Sequence, residues 1–211
     1  MNRSLVAIVL SLIGLLAMGT GPAHADGLPR NALAMDVVAS ANQALAALDQ
    51  FAMTSDPAQY LEFRVDRDAT AALAAVQLGY DVPTMVQAWS STPIDHQRAV
   101  LAAMSQVGVP YRTNASQEGV GFDCSGLTSF AWARAGVNLF HQSGSQINSA
   151  RRVDRTTAKA GDLVYYPGHV MLYLGVGDAI IHAVHTGRTV EIDTISGRKS
   201  GSVRFGDPGA A

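Results

Sequence analysis

The chain contains very little cysteine and carries no strong charge of either sign. Cys124 is the only cysteine among 211 residues, and 15 basic residues nearly balance 17 acidic ones. A single cysteine excludes an intramolecular disulfide and a zinc site built on paired cysteines. No basic cluster occurs beyond Arg151, Arg152 and Arg155. We therefore expect no nucleic-acid partner, because the electrostatic footprint of such a protein is absent.

Long apolar runs are also scarce, and the longest one lies at the N-terminus. It covers 5–18, is interrupted by a serine and a glycine, and is short for a membrane span. Arg3 precedes it, and the small residues Ala23 and Ala25 follow it. This layout predicts a signal peptide over 1–25, with a retained anchor as the alternative. We expect a mature protein that is secreted, in the cell wall or periplasmic space, with no stable membrane insertion after cleavage.

The thiol of Cys124 has three interpretations in an exported protein: buried and inert, linked to another chain, or reactive. The segment CSGLTSFAWARAG begins at Cys124, places Leu127, Phe130 and Ala131 at helical spacing, and stops at Gly136. Cys124 thus lies in the first helical turn. Free backbone N–H groups and the helix dipole favour a thiolate there, which predicts a lowered pKa and a reactive thiol.

The 186 residues after the signal peptide divide into a helical part and a strand-rich part. An alanine-rich segment over 26–93 precedes the boundary at 90–93, and 94–211 follows as the larger domain. Four helices are expected. The first runs from an Asn31 cap to about 52, and the second runs from Asp56-Pro57 to Gly79 with a restart at Asp68. The third runs from 82 to 89, and the fourth runs from an Asp95 cap to 107, before Gly108.

Short β-rich pieces separated by turns follow Asp162. They read DLVYY, HVMLYLG, AIIHAV, TVEID and SVRF, and GVGD and HTGR are typical hairpin turns. This pattern predicts an α+β domain in which an antiparallel meander packs on the cysteine-bearing helix, preceded by an all-α segment.

Two strand histidines are candidate partners of the thiol. His169 opens HVMLYLG, and His182 lies 13 residues later on the next strand, so their imidazoles are expected to be cross-strand neighbours. A thiol acts as a nucleophile when one base takes its proton and a third group orients that base. By spacing alone, structural histidines remain an alternative. Zinc bound by Cys124, His169 and His182 lacks the usual spacing, so we expect no metal and no cofactor.

Four segments together carry a family resemblance. GVPYR, GFDCSGLTSFAW, AGDLVYY and GHVMLYLGVGDAIIHA, in this order and spacing, resemble the NlpC/p60 family of cell-wall cysteine peptidases over about 96–205. The resemblance implies a papain-like fold, with Cys124 as the nucleophile, His169 as the base and His182 in the position of the third polar residue.

The resemblance also implies a substrate and a groove. The family hydrolyses peptidoglycan stem peptides, typically at the D-glutamyl to diaminopimelyl bond, and Tyr111, Asp123 and Ser125 match positions lining its groove. The sequence departs from the family in three places. Arg112-Thr113-Asn114 replaces the usual Trp-Gly-Gly, Phe140 and Gln142 replace proline and a small hydroxyl residue, and the turn before the His182 strand is about one residue longer.

Other functions remain open for the same fold. They are an N-acetylmuramoyl-L-alanine amidase, an acyltransferase, and a non-catalytic peptidoglycan-binding module. The segment 26–93 has three interpretations: a rigid spacer, a hairpin that binds a protein partner, or a cover over the groove. An apolar helical stripe of this kind needs a surface to pack on.

Overall fold

The computed structural model describes residues 27–196 and 200–210. The predicted signal peptide lies outside them. Helix α1 spans Ala34–Thr54 and helix α2 spans Pro57–Leu78. Asp56 caps α2 as predicted, since its side chain accepts the Ala58 N–H, and Gly79 ends α2 with φ 73°. The expected restart at Asp68 is wrong because α2 is continuous.

The caps expected at Asn31 and Asp95 are also wrong. Asn31 has φ 52° and donates its side-chain amide to Thr189 and Val190, while α1 begins after Leu33. Helix α3 spans Val82–Ser90 and is capped by Asp81. Helix α4 spans Ile94–Met104, so Asp95 lies inside its first turn and the helix ends before the predicted 107.

The cysteine-bearing helix α5 spans Cys124–Arg134 as expected, and a further helix, α6, spans Ser143–Ser149 in a segment where none was predicted. A small ribbon of β1 (Ser116–Gln117) and β2 (Gly121–Phe122) precedes α5. The loop before the cysteine is therefore pinned by two short strands against the start of α5.

Six antiparallel strands form the main sheet in the order β3-β8-β4-β5-β6-β7. Their bounds are β3 Arg151–Val153, β4 Leu163–Tyr166, β5 His169–Tyr173, β6 Ala179–Ala183, β7 Val190–Thr194 and β8 Arg204–Asp207. The predicted meander is correct for β4 to β7. It is wrong for β8, which returns to lie between β4 and β3, and no strand was predicted at β3.

One hydrophobic core joins the N-terminal helices to the sheet. Phe63 and Trp89 from that segment are fully buried in the same cluster as Trp132 of α5 and Leu172 of β5. The indole N–H of Trp89 donates to the carbonyl oxygen of Leu174 at 2.9 Å. The fold is therefore α+β, with an all-α segment that precedes the sheet and packs directly on it.

Within 27–196 and 200–210, no helix combines the length and the apolar character needed to cross a membrane.

Candidate active site

Asp123 fixes the start of α5 and thereby the position of Cys124. Its Oδ1 atom accepts the backbone N–H of Gly126 at 2.7 Å and the hydroxyl of Ser125 at 3.0 Å. Gly126 is required because a Cβ there would overlap the carbonyl oxygen of Ala115. Cys124 is consequently the first residue of the helix, where its own N–H and that of Ser125 point toward the thiol.

Burial dominates the electrostatics of Cys124, which is a free, half-buried thiol. Burial raises the pKa of the thiol, and the charge of Asp123 raises it further, whereas the backbone N–H groups of Val170, Ser125 and Cys124 lower it. The net effect raises the pKa of the thiol above its ordinary value, so the expectation of a lowered pKa is wrong for the free protein. The Val170 contact places the thiol beside the beginning of β5, where His169 lies.

The two strand histidines are hydrogen-bonded to each other, which confirms that they are cross-strand neighbours. The Nε2 atom of His169 lies 2.8 Å from the Nδ1 atom of His182, and both residues are buried. Leu172 pairs with Ile181 across β5 and β6, so the alternation of side chains puts His169 and His182 diagonally on one face. Their hydrogen bond leaves Nδ1 of His169 available for the thiol.

Burial and the neighbouring histidines act together on His169. Burial lowers the pKa of its imidazole to about 3, with contributions from the charges of His182 and His185. His169 is therefore neutral at physiological pH, the form that can accept a proton. Tyr166 stacks beside it with ring centroids 5.3 Å apart.

Asp193, which sequence reasoning missed, lies behind His182. Within 27–196 and 200–210, the Nε2 atom of His182 is buried without a hydrogen bond, and the Oδ2 atom of Asp193 lies 3.7 Å from it. Burial acts to raise the pKa of Asp193, but His182 and the backbone N–H of Thr194 outweigh it and the pKa is lowered. The alternation in TVEID, with His182 opposite Glu191, was the signal that could have placed Asp193 on this face.

The N-terminal segment reaches the same part of the sheet. Glu191 is buried opposite His182 and pairs with Arg30 at 2.9 Å and with Nε of Arg188 at 2.8 Å. These two guanidinium groups hold the pKa of Glu191 low against the opposing effect of burial. The segment 26–93 thus contacts β7, one strand away from the histidine pair.

The three predicted groove residues gather around the thiol. The backbone N–H of Tyr111 donates to the carbonyl oxygen of Arg188 at 2.8 Å. Tyr111 also forms an isolated β-bridge with Phe122, which lies next to Asp123 and Cys124. Burial raises the pKa of the Tyr111 phenol, and Cys124 and Asp123 raise it further, which reports their proximity. Ser125 is buried against Asp123, as described above.

Three further polar residues lie in the neighbouring loops. His141 is exposed, and its Nε2 atom lies 3.0 Å from Oδ1 of Asp123, a contact with a predicted groove residue. Arg112 donates Nε to the Val120 carbonyl oxygen at 3.0 Å in the departing loop. His185 is exposed and hydrogen-bonds the Thr186 carbonyl oxygen at 2.8 Å. Zinc at the Cys124, His169 and His182 set is not needed to explain their contacts.

Comparison with known proteins identifies the relatives of this region. Residues 108–205 match the NlpC/P60 family. Peptidoglycan endopeptidase RipB of Mycobacterium tuberculosis is 39% identical over 119 residues, covering 49% of this chain and 48% of RipB. Peptidoglycan endopeptidase RipA of Mycolicibacterium smegmatis is 36% identical over 118 residues, covering 48% of this chain and 23% of RipA.

A solved structure of an NlpC/P60 family protein from Bacillus cereus superimposes with a TM-score of 0.50 at 26% identity, covering 56% of this chain and 41% of that one. The match to the two curated relatives spans less than half of their length.

Proposed function

Because residues 108–205 belong to the NlpC/P60 family, we propose that this protein is a secreted cysteine endopeptidase that hydrolyses peptidoglycan stem peptides. The bond we favour is that between D-glutamyl and diaminopimelyl residues. The observation that carries the proposal is the hydrogen-bonded pair of His169 and His182 at the strand end that adjoins Cys124.

Proton transfer accompanies the attack of the thiol. A raised pKa at Cys124 and a pKa of about 3 at His169 make the resting pair neutral, so no preformed ion pair supplies the nucleophile. His169 takes the proton through Nδ1 as the sulfur bonds to the amide carbonyl, and then gives it to the leaving amine. Water hydrolyses the resulting thioester and regenerates the thiol.

The backbone at the start of α5 stabilises the developing oxyanion. The N–H groups of Cys124 and Ser125 belong to the first helical turn, where they have no intrahelical acceptor. Such fixed donors, together with the positive end of the helix dipole, stabilise the negative charge of the tetrahedral intermediate.

His182 orients the base. When His169 is protonated, its Nε2–H donates to Nδ1 of His182, so neutral His182 must carry its own proton on Nε2. That proton faces Asp193. Asp193 therefore favours the tautomer of His182 that can accept from the base, in the manner of an orienting carboxylate.

An amidase or acyltransferase would use the same residues, and a wall-binding module would keep only the fold. The complete set of Cys124, His169 and His182 favours an enzyme over a binding module, since binding alone needs none of this chemistry. Tyr111, Asp123 and Ser125 surround the thiol and are proposed to line the substrate groove.

Digestion of purified muropeptides, with products weighed by mass spectrometry, identifies both the activity and the bond. We expect Cys124→Ala and His169→Ala to lose nearly all activity and their double variant to be little worse, because the two act as a unit. His182→Ala should lose roughly 10- to 1,000-fold, and His182→Asn or His182→Gln less, since each keeps an acceptor.

His185→Ala is the matched control and should cleave at the wild-type rate. Release of the intact stem peptide would assign an amidase instead, and binding without cleavage by the unmodified protein would assign a wall-binding module. If His185→Ala is as damaging as His169→Ala while His182→Ala is silent, the assignment of the third residue is wrong.

We also propose that the chain is exported and cleaved before Asp26. Edman sequencing of the exported protein is expected to start at Asp26, and recovery of the full Met1 chain in the cytosol would contradict this.

The division at 93/94 and a protein partner for 26–93 remain proposals. The exposed Met35, Met53 and Leu61 support a partner, while the contacts with β7 and Leu174 support a scaffold more than a cover over Cys124.

A further inference from the structure

A second cluster of chemically active side chains lies apart from Cys124. His96 is in the first turns of α4, Asp162 directly precedes β4, and Asp207 ends β8. All three are buried, with 2%, 1% and 5% of their surfaces exposed. The Nε2 atom of His96 lies 3.2 Å from Oδ1 of Asp162 and 3.3 Å from Oδ1 of Asp207, and the three atoms lie within 4.8 Å of one another.

The remaining polar atoms of these side chains are held by other groups. Nδ1 of His96 faces Asp95 at 3.0 Å. The second oxygen of Asp162 accepts the backbone N–H of Lys159 at 2.7 Å, and that of Asp207 accepts from Arg151 at 2.8 Å. Each residue is thus oriented from behind, and each directs its other atom at a common point.

Hydrogen bonds within the cluster do not satisfy all of the polar atoms that meet there. A single imidazole N–H stands between two carboxylate oxygens, and it donates to Asp162, so Oδ1 of Asp207 is buried without a hydrogen bond from any residue that the structure describes. A buried acceptor that lacks a hydrogen bond is destabilising, and more so when it is charged. Charge-assisted N–H···O bonds are normally about 2.7–2.9 Å, shorter than either separation seen here.

A metal ion bound by the three side chains accounts for the convergence of their atoms, for the missing hydrogen bond of Asp207 and for the long N···O separations. Zinc binds imidazole nitrogen and carboxylate oxygen at about 2.0–2.1 Å in a tetrahedron, which separates neighbouring ligand atoms by about 3.3 Å. The two separations that involve Nε2 of His96 are 3.2 and 3.3 Å, and the two carboxylate oxygens lie within 4.8 Å of each other. A divalent cation beside neutral His96 also balances the charges of Asp95, Asp162, Asp207 and Arg151. We propose that His96, Asp162 and Asp207 bind a divalent transition metal ion, for which zinc is the probe.

The chemistry of the ligand atoms restricts which metal ions the proposed site would bind. An imidazole ligand disfavours calcium and magnesium, which prefer oxygen, and fits zinc and its neighbours in the transition series. Asp95 behind His96 completes a carboxylate–histidine–metal arrangement, which fixes the ring and raises its basicity. The ion would tie α4 to both β4 and β8, so its role is structural and independent of the proposed hydrolysis.

Metal content tests the proposal directly. The mature protein in a Cys124→Ala background, which removes the only thiol, is incubated with excess zinc chloride, gel-filtered and analysed by plasma mass spectrometry. We expect about one zinc per chain and a thermal unfolding midpoint that is several degrees higher with zinc than with EDTA. Asp207→Asn should lose both effects. Asp49→Asn, at a half-buried ion pair with Arg98, should keep both.

Cobalt titration covers the case in which Asp207→Asn does not fold. Cobalt(II) in the unaltered cluster of the Cys124→Ala protein should give visible absorption bands of a tetrahedral nitrogen and oxygen site, and zinc should abolish them. The proposal is overturned if the protein retains no zinc and shows no such bands, or if folded Asp207→Asn retains zinc as well as its parent. In either case His96 pairs with the carboxylates as an imidazolium.

Discussion

Replacement of Trp89 tests whether the N-terminal helices and the six-stranded sheet form one cooperative unit. Trp89 is fully buried, and its indole N–H is the donor to Leu174, which follows directly on the strand that begins at His169. Truncation of a buried tryptophan to alanine costs about 3–5 kcal/mol through lost contacts and the cavity that remains. A domain of this size is stable by only about 5–15 kcal/mol. We therefore expect Trp89→Ala to destabilise the whole protein severely.

Trp89→Phe separates packing from hydrogen bonding. Phenylalanine keeps much of the apolar contact but removes the donor, and leaving a buried carbonyl unpaired costs about 1–3 kcal/mol. The order of stability should be wild type, then Trp89→Phe, then Trp89→Ala. Met53→Ala is the control from the same segment, since Met53 is 71% exposed and its truncation should change stability by less than about 0.5 kcal/mol.

Urea unfolding followed by far-ultraviolet circular dichroism measures these differences, and hydrogen exchange on β5 shows whether the sheet shares the loss. The expected result is a single transition in which helices and sheet unfold together. The reasoning is refuted if Trp89→Ala leaves the exchange of β5 unchanged, or if a 94–211 fragment unfolds with the free energy of the mature protein.

Three further predictions concern the site. Since burial raises the pKa of Cys124, the thiol is mostly protonated at neutral pH, so iodoacetamide labelling should accelerate about tenfold for each pH unit from 6 to 8; a plateau already reached at pH 6 would contradict this. Since the pKa of His169 is lowered to about 3, the imidazole becomes protonated and unable to accept a proton only as pH falls through that value, and kcat/KM should persist at pH 5; an acidic limb centred near 6.5 would overturn the assignment. Asp193→Asn should lower kcat roughly 10-fold with KM unchanged and reduce the Nε2–H tautomer of His182 in nitrogen-15 NMR spectra, whereas an unchanged tautomer ratio would remove Asp193 from the mechanism.

Local chemistry explains the features that the sequence predicted well. Helix α2 starts where Asp56 caps it and the proline ring of Pro57 fixes φ, and it ends where Gly79 adopts a left-handed conformation. Each of these effects acts within a few positions along the chain. The start of α5 at Cys124 follows from the same capping chemistry at Asp123. The pairing of His169 with His182 was predictable because a short turn fixes the register of two adjacent strands.

Features that join distant parts of the chain were not predictable in this way. Strand β8 lies between β3 and β4, where Phe205 packs in a buried cluster with Val164 and Met171, and no local signal distinguishes that edge from the edge beside β7. The expected cap at Asn31 is absent because its side-chain amide donates instead to the Thr189 hydroxyl and the Val190 carbonyl oxygen, far along the chain. The direction of the Cys124 pKa was wrong because burial is set by the packed sheet, whereas the helix dipole is local.

The sequence by itself determined the α+β class, the helix that carries the only thiol and the two histidines that face each other across a hairpin, since each depends on short-range periodicity and capping. Only the tertiary structure decided that Asp193 stands behind His182, that Arg30 reaches Glu191, and that His96 meets Asp162 and Asp207. These contacts join residues from separate elements, and the packing of one shared core fixes their distances.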